Sequence, residues 1–357
     1  MIQEIKFIDG SSHDPYLNLA IEEYLLETAG RDTCILYLWQ NENTVVIGKN
    51  QNPWKECRIR ELEQDGGHLV RRLSGGGAVF HDLGNLNFTF LVNKNHYNLD
   101  KQLEVILNGV RKLGIHAEKS GRNDITVSDR KFSGNAFYTR GEKCYHHGTL
   151  LVHADMEKLS KYLQVSKDKL ALKGVDSVRS RVTNLSEYRA DLTVDMLKEK
   201  LLEAFEETYG RKAVFCRQED LDQEALSEGR KKFSSWDWLY GRNMDFQYEL
   251  SKRFVWGNVI WQIQVNSGII QDLQLFSDSM EPDLMDRIPG YIKGSRYENE
   301  DICNKLDQVP TETQAQSAMI KDLKEFFLLL QNYKDQGGIG WKNDMICLLL
   351  VQGPEDM

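Results

Sequence analysis

Apolar residues recur first with the period of a strand and then with that of a helix. Residues 1–9 form a charged, strand-like opening. Asp14 and Pro15 then read as an N-cap followed by proline at the first helical position, and Leu17, Ile21, Tyr24 and Leu25 continue at helical spacing. Residues 34–39 and 44–48 read as strands around the polar Asn41-Glu42-Asn43, which predicts a hairpin. Residues 68–73 and 78–80 bracket a run of glycines. The strand over 85–92 puts Leu86, Phe88 and Phe90 on one face and Asn87 and Thr89 on the other. Leu103, Ile106, Leu107, Val110 and Leu113 mark an amphipathic helix. Strand-like pieces follow at 124–127, 130–132 and 148–152, then a helix from about Thr193 to Tyr209 with Gly210 as its C-cap.

The pattern changes near residues 232–245, where Phe233, Trp236, Trp238 and Tyr240 crowd into a connector. Beyond it, residues 246–256, 259–265 and 269–276 predict a tight antiparallel meander with turns at Gly257-Asn258 and Asn266-Ser267-Gly268. A helix over 321–330 and a closing strand over 345–351 complete a second region. The expected division is therefore a large domain over 1–244 and a small α+β domain over 245–357. Internal repeats, low-complexity tracts and heptads are absent from the sequence.

Composition narrows the class without giving an activity. The 357 residues are 41% hydrophobic and 28% charged, an ordinary balance for a globular protein with a real core. No apolar run approaches the roughly 20 residues needed to span a bilayer, and the charged N-terminus is not a signal peptide. The six cysteines are scattered with no C-x-x-C pair, which favours a reducing cytoplasm over a disulfide framework or structural zinc. A net charge of −9 gives no basic field for nucleic acid. The expectation is a soluble cytoplasmic α/β protein, a monomer, binding neither membrane nor nucleic acid.

Four segments carry candidate chemistry. In the first, Arg71 and Arg72 precede Ser74-Gly75-Gly76-Gly77, followed by Val79, Phe80, His81, Asp82 and Asn85. Three glycines between strands let a ligand approach the backbone, with N–H groups free for anionic oxygens. This is neither a P-loop, since no G-K-[ST] follows, nor a Rossmann turn, since a strand stands where the helix should. In the second, Gly121-Arg122-Asn123-Asp124 leads to Lys131-Phe132-Ser133-Gly134-Asn135-Ala136. A lysine before a small Ser-Gly pair can turn a compact charge into a pocket, although taken alone it reads as a solvated surface lysine sooner than as a catalytic one. The third is His146-His147-Gly148-Thr149, whose adjacent histidines point to opposite faces of a strand, one to a pocket and one outward. The fourth, residues 171–185, is basic and aperiodic, suited either to an exposed connector or to a lid over phosphate.

Together these blocks resemble the lipoate–protein ligase A family of the biotin/lipoate protein ligase superfamily, across nearly the whole chain. R-R-x-S-G-G-G-A-V-x-H-D-x-G-N with a later K-x-S-G-x-A belongs to the superfamily, and the H-H-G-T-L-L and S-V-R-S-R-V-T-N-L blocks belong to its lipoate branch. The resemblance implies a large α/β (α+β) domain with a mixed, mainly antiparallel sheet flanked by helices, of the class II synthetase-like type, plus a small C-terminal accessory domain. It implies ATP-dependent conversion of lipoic acid to lipoyl-AMP and transfer to a lysine of lipoyl domains, in 2-oxoacid dehydrogenase complexes or the glycine-cleavage H protein. It places Lys131 beside the carboxylate and α-phosphate as the catalytic residue. Arg72 and the amides of Gly75, Gly76 and Gly77 are expected at the acyl and phosphate groups, with Ser74 and His81 shaping the pocket. Val79 and Phe80 are expected to meet adenine through their backbone, and Asn123 to meet ribose or phosphate. Trp39 and the strand around His147 and Gly148 are expected to line the acyl slot. Asn85, Asp124, Ser133, Gly134, Ala136 and Thr149 complete the expected lining, and Lys173, Val178, Arg179 and Arg181 the lid. Mg²⁺ is expected with ATP, without a protein ligand set of its own. Two other readings compete: a cysteine-dependent octanoyl or lipoyl transferase using Cys144, and a non-catalytic ligand-binding homologue.

Overall fold

The computed structural model of the chain describes residues 1–120, 124–164, 182–241 and 248–335. They form two compact units, one of Met1–Gly48, Pro53–Ser74 and Ala78–Gly241, the other of Lys49–Asn52, Gly75–Gly77 and Arg242–Met357.

The first unit is built on strands β1 (Glu4–Asp9), β2 (Thr33–Trp39), β3 (Thr44–Ile47), β4 (His68–Arg71), β5 (Val79–His81), β6 (Asn85–Asn93), β7 (Glu118–Ser120), β8 (Asp124–Val127), β9 (Arg130–Arg140), β10 (Lys143–Leu151) and β11 (Val214–Phe215). Eight of them form one sheet in the order β11-β1-β2-β6-β10-β9-β8-β7. β1 runs parallel to β11 and β2, and every later pairing is antiparallel, so the sheet is mixed and mainly antiparallel as expected. Helices cover both faces. On one, α4 (Leu99–Arg111) and α6 (Val194–Tyr209) bury Leu103, Ile106, Leu201 and Phe205 against Leu36, Leu38, Phe88 and Phe90. On the other, α1 (Pro15–Thr28) and α7 (Gln223–Ser234) bury Leu19, Ile21, Leu226 and Phe233 with Ile35, Tyr37, Leu91 and Tyr145. The caps read from the sequence hold. Asp14 Oδ1 accepts from the amides of Tyr16 (2.9 Å) and Leu17 (3.3 Å), and Gly210 ends α6 in the left-handed region at φ 63°.

The predicted hairpin of the second and third strands does not form. β3 leaves the large sheet and pairs instead with β4 (parallel) and β5 (antiparallel) in a three-stranded sheet. Short helices α2 (Pro53–Glu56), α3 (Ile59–Gln64) and α5 (Met156–Tyr162) accompany it, and Leu62 and Tyr162 pack with Val45, Ile47, Leu69 and Phe80. The polar connection is no simple turn, because Asn41 is fully buried and its amide is committed to Asn18 and His81.

The second unit contains the predicted meander, β12 (Tyr248–Phe254), β13 (Gly257–Asn266) and β14 (Ile269–Ser277), antiparallel throughout. Helices α9 (Pro282–Ile292), α10 (Asn299–Leu306) and α11 (Gln314–Asp335) enclose a core with Trp261, Leu273, Ile288, Leu306 and Phe327. α11 begins well before the predicted 321, because Thr313 Oγ1 caps it by accepting from the Gln316 amide at 3.1 Å. The strand expected over 345–351 lies outside the described residues. Within this unit Lys49 pairs with Asp283 (2.9 Å) and Asp286 (2.8 Å), and Gly76, at φ +90°, donates its N–H to the Ser279 carbonyl at 3.2 Å. A Cβ on Gly75 would stand 2.0 Å from that oxygen. No described helix is long and apolar enough to cross a membrane.

Candidate active site

The registers of the large sheet bring the expected residues into rows. Tyr37, Thr89, His147 and Ala136 lie side by side across β2, β6, β10 and β9, and Trp39, Asn87 and Thr149 form the next row. Both rows lie on the α1 side of the sheet, the face that carries Asn87 and Thr89. Polar side chains on a face covered by helices must satisfy one another or a ligand.

They satisfy one another through a carboxylate on α1. Glu22 Oε1 accepts from Thr89 Oγ1 at 2.7 Å and from His147 Nδ1 at 2.8 Å. Trp39 Nε1 donates to Thr89 Oγ1 at 3.0 Å. His147 Nε2 meets Ser74 Oγ at 2.8 Å, and Arg72 Nε donates to the same oxygen at 3.0 Å. Glu22, Thr89, Ser74, Arg72, His147 and Trp39 are all buried. Burial drags the Arg72 guanidinium down to about 10, still charged at neutral pH. Ser74, His147 and Glu22 follow the hydrogen-bond order of a hydrolase triad. The Ser74 oxygen, however, is fully buried and bonded to an arginine, which fits a holder of ligands and not an open nucleophile.

A second chain joins at Trp39, whose ring meets His81 edge-on at 6.2 Å. His81 is buried, and burial, with the Arg72 guanidinium nearby, holds its pKa down at about 3. Asn85 Nδ2 donates to Asn87 Oδ1 at 3.0 Å, leaving Asn85 Oδ1 and Asn87 Nδ2 buried without a partner among the described residues.

Lys131 stands past the end of the Asn87 row. β9 carries a bulge there: Ile125 pairs with Ser133 and Thr126 with Lys131, so Phe132 is the extra residue. The bulge lets Phe132 enter the core while the lysine runs back over Gly134. A Cβ on Gly134 would lie 3.1 Å from Lys131 Nζ, and the Gly134 amide donates to Thr149 Oγ1 at 3.3 Å. The ammonium pairs with Asp124 at 2.6 Å, the two side chains being 37% and 38% exposed. Lys131 is also the anchor of the segment after the expected lid, since its carbonyl accepts from the Thr183 amide at 2.9 Å.

Several expectations are corrected. Ser133 does not face this group of residues. It is buried on the opposite side of β9 beside Asn135, which bonds His146 Nε2 at 2.8 Å. His146 does not face outward either. It is fully buried among Phe88, Phe90 and Phe137, with its pKa pressed to about 3 by desolvation. Arg71 gives its guanidinium to the carbonyls of Trp238 (3.0 Å) and Leu239 (2.6 Å) on α8 (Trp236–Tyr240) and to Gly48 (3.3 Å), so it clamps the connector. Of the three glycine amides expected to meet a ligand, that of Gly76 is taken by Ser279 within the second unit. The Phe80 ring packs against Tyr162, Val79 is partly exposed, and Gly148 on β10 lies opposite Asn135 of β9. Asn123, Lys173, Val178, Arg179 and Arg181 lie outside the described residues. Glu22, Asn18, Asn41 and Thr89 escaped the sequence reading. Glu22 is one of two adjacent glutamates on a helix, and only the fold shows which one is buried.

With this geometry in hand, the comparisons with known proteins agree. A family model for the lipoyl protein ligase A/B catalytic domain matches residues 14–206, and one for the bacterial lipoate protein ligase C-terminus matches residues 243–327. A lipoate-protein ligase A of Psychrobacter cryohalolentis is 38% identical over 336 residues, covering 91% of this chain and 98% of that protein. The crystal structure of P. falciparum LipL1 with lipoate superposes with a TM-score of 0.81 at 30% identity, over 91% of this chain and 99% of that one. A lipoate-protein ligase A solved with ATP bound gives a TM-score of 0.59 at 26% identity, over 68% of this chain and 99% of that one. Together with the fold, these relatives define an acyl-activating α/β enzyme, and the chain belongs to the lipoate–protein ligase A family.

Proposed function

We propose that the chain converts lipoate and ATP to lipoyl-AMP and pyrophosphate, and then passes the lipoyl group to a lysine of an acceptor lipoyl domain. It is an ATP-dependent lipoate–protein ligase. In the first step a lipoate carboxylate oxygen bonds to the α-phosphorus, the bond to the β-phosphate bridge breaks, and pyrophosphate leaves. Two anions must be brought together, so a fixed positive charge between them lowers the barrier. The observation that carries this reading is the Lys131 ammonium, laid over Gly134 at the end of the Trp39–Asn87–Thr149 row and balanced by Asp124. The Arg72–Ser74–His147–Glu22 network walls the acyl slot.

In the second step the acceptor amine attacks the acyl carbonyl, loses a proton, and AMP departs with the C–O bond electrons. Val79 and Phe80 offer backbone groups to adenine. Gly75, Gly77, Asn85 and Asn123 complete the nucleotide and acyl contacts, and the segment with Lys173, Val178, Arg179 and Arg181 shields lipoyl-AMP from water. Mg²⁺ enters with ATP as the nucleotide complex. Among the described residues no three His, Cys, Asp or Glu side chains converge to hold a metal, and Asp124 is engaged by Lys131. The acceptors are lipoyl domains of 2-oxoacid dehydrogenase complexes or the glycine-cleavage H protein, met in the cytoplasm by a monomer. Lipoate-dependent exchange of pyrophosphate into ATP, followed by weighing an apo-domain incubated with the chain, ATP and lipoate, tests both steps. An acceptor that gains the lipoyl mass without ATP would refute the adenylate route.

A further inference from the structure

His81 sits at the end of a hydrogen-bond chain whose direction is fixed from its far end. Asn18, in the first turn of α1, has its Nδ2 2.8 Å from the Gln40 carbonyl and 3.1 Å from the Ser12 carbonyl. Backbone carbonyls only accept, so the amide orientation of Asn18 is set. Its Oδ1 accepts from Tyr37 OH at 3.2 Å, which is consistent with that orientation. The same Nδ2 faces Asn41 Oδ1 at 2.9 Å, so the remaining Asn41 group, Nδ2, is the one directed at His81 Nδ1, 3.2 Å away. An NH₂ can only donate, hence Nδ1 accepts and the ring proton resides on Nε2. Asn18, Asn41 and Tyr37 are fully shielded from solvent, so water cannot reset the chain.

The Nε2 at the other end is buried and has no partner among the described residues. It belongs to the ring that Trp39 meets edge-on, and Trp39 bonds Thr89 in the Glu22 network. A buried donor left without an acceptor costs free energy, which a ligand acceptor would recover. We infer that Asn18 and Asn41 are positioning residues that hold His81 as the Nε2–H tautomer, a neutral hydrogen-bond donor to an acceptor atom of the bound acyl-adenylate. This inference rests on the ligase reading above. The imidazolium is excluded by the Asn41 NH₂ on one side and the Arg72 charge nearby, and burial keeps the ring neutral with a pKa of about 3.

The test uses the full chain labelled with ¹⁵N-histidine, reading ring tautomers by two-bond ¹H–¹⁵N correlation. One of the eight histidines is assigned to His81 by its loss in His81→Gln. The expected pattern is Nε2–H, unchanged between pH 7 and pH 5, and displaced by either lipoate alone or MgATP alone, which tells the acyl acceptor from the nucleotide acceptor. Asn41→Asp replaces the donor facing Nδ1 by an acceptor. It should convert His81 to Nδ1–H or imidazolium and raise KM about tenfold for whichever substrate moved the signal, the scale of one hydrogen bond. His81→Gln, which keeps a neutral amide donor, should retain pyrophosphate exchange better than His81→Leu by about tenfold. An Nδ1–H tautomer in the wild type overturns the inference, as does Asn41→Asp changing the tautomer without changing KM. If Asn41→Asp does not fold, the wild-type tautomer and the Gln-against-Leu comparison still decide. Absence of lipoate-dependent exchange in the wild type would instead refute the ligase reading, because the tautomer is measured independently of activity.

Discussion

Lys131 is poised more by what its neighbours lack than by what they supply. The ammonium occupies the space a side chain at position 134 would take, and its ion pair with Asp124 is more than a third exposed on each side. Such a pair contributes about 1 kcal/mol or less to stability. Lys131→Ala should therefore fold with an almost unchanged Tm while lipoyl-AMP formation falls by about 10²–10³-fold, the usual cost of removing one preorganised charge at a reacting oxyanion. Near-normal adenylate formation by the variant, followed as pyrophosphate release, would remove Lys131 from the mechanism. Gly134→Ala is a subtler probe of the same charge. Its Cβ would press on the flexible end of Lys131 and make only an ordinary contact with Thr149 Oγ1 at 3.9 Å, so the backbone should tolerate it while the ammonium is displaced. A misplacement of this size should lower kcat about tenfold with unfolding unchanged. An equal loss of stability and rate would show instead that position 134 matters for packing.

At the scale of the strand, β10 shows why adjacent residues of similar chemistry have unrelated fates. Alternation sends Tyr145, His147 and Thr149 to the polar face and Cys144 and His146 to the core face. Cys144 is thus on the wrong side of the sheet from His147, and burial raises its thiol pKa, so a thiolate nucleophile there is doubly disfavoured. Cys144→Ser should keep ATP-dependent lipoylation within about twofold and cost about 1 kcal/mol of stability. An acyl adduct mapped to Cys144 would restore the thioester route. The same burial makes the fold acid-sensitive. His81 and His146 stay neutral when folded, with pKa values near 3, whereas the unfolded chain takes up a proton at each near 6.5. Their stabilising contribution is whole above about pH 6.5 and is lost as pH falls toward 3, by up to about 1.4 kcal/mol per ring per pH unit. Urea unfolding between pH 6.5 and 5, where most carboxylates remain ionised, should show that slope; a flat profile would mean the rings protonate in the fold.

These elements also show what periodicity can carry. Alternation in β6 and the caps of α1 and α6 were readable because each is a local signal. The false hairpin at Asn41-Glu42-Asn43 arose because two strands joined by a short polar stretch look alike whether they pair or diverge into different sheets. Lys131, Arg72, Ser74 and His147 were visible as motif residues, but the carboxylate that binds His147 comes from a helix 125 positions away. No local pattern distinguishes Glu22 from Glu23, which is tied to Lys232. Ser133 was misread for the converse reason, since a bulge at Phe132 changes which side of β9 each later residue faces.

At the scale of the whole molecule, two sets of cores are separately closed. Phe88, Phe90, Tyr37 and Tyr145 belong to clusters drawn wholly from the first unit, and Trp261, Leu306 and Phe327 to one drawn wholly from the second. A chain ending at residue 244 keeps every strand of the large sheet and the helices on both of its faces, so we predict that it folds cooperatively by itself. It loses other contacts. Lys49 would be without Asp283 and Asp286, Asn50 would lose its bond to the Pro282 carbonyl, and Gly76 would lose the Ser279 carbonyl that its left-handed conformation now serves. Two short segments would then have to be ordered by substrate, at the entropic cost of fixing several backbone residues, about 1–2 kcal/mol each. One of them, Gly75–Gly77, is where the activation step is expected to need fixed amides. Transfer from preformed lipoyl-AMP begins with a ligand that can supply that order by binding. The truncated chain should therefore lose lipoate-dependent pyrophosphate exchange by about tenfold or more while retaining most transfer from synthetic lipoyl-AMP. Comparing the two half-reactions at matched protein concentration measures this, with circular dichroism as the check on folding. Equal loss of both steps from a folded truncated chain would show that the C-terminal unit serves the active site as a whole, and full activity in both would show that the glycine loop orders itself.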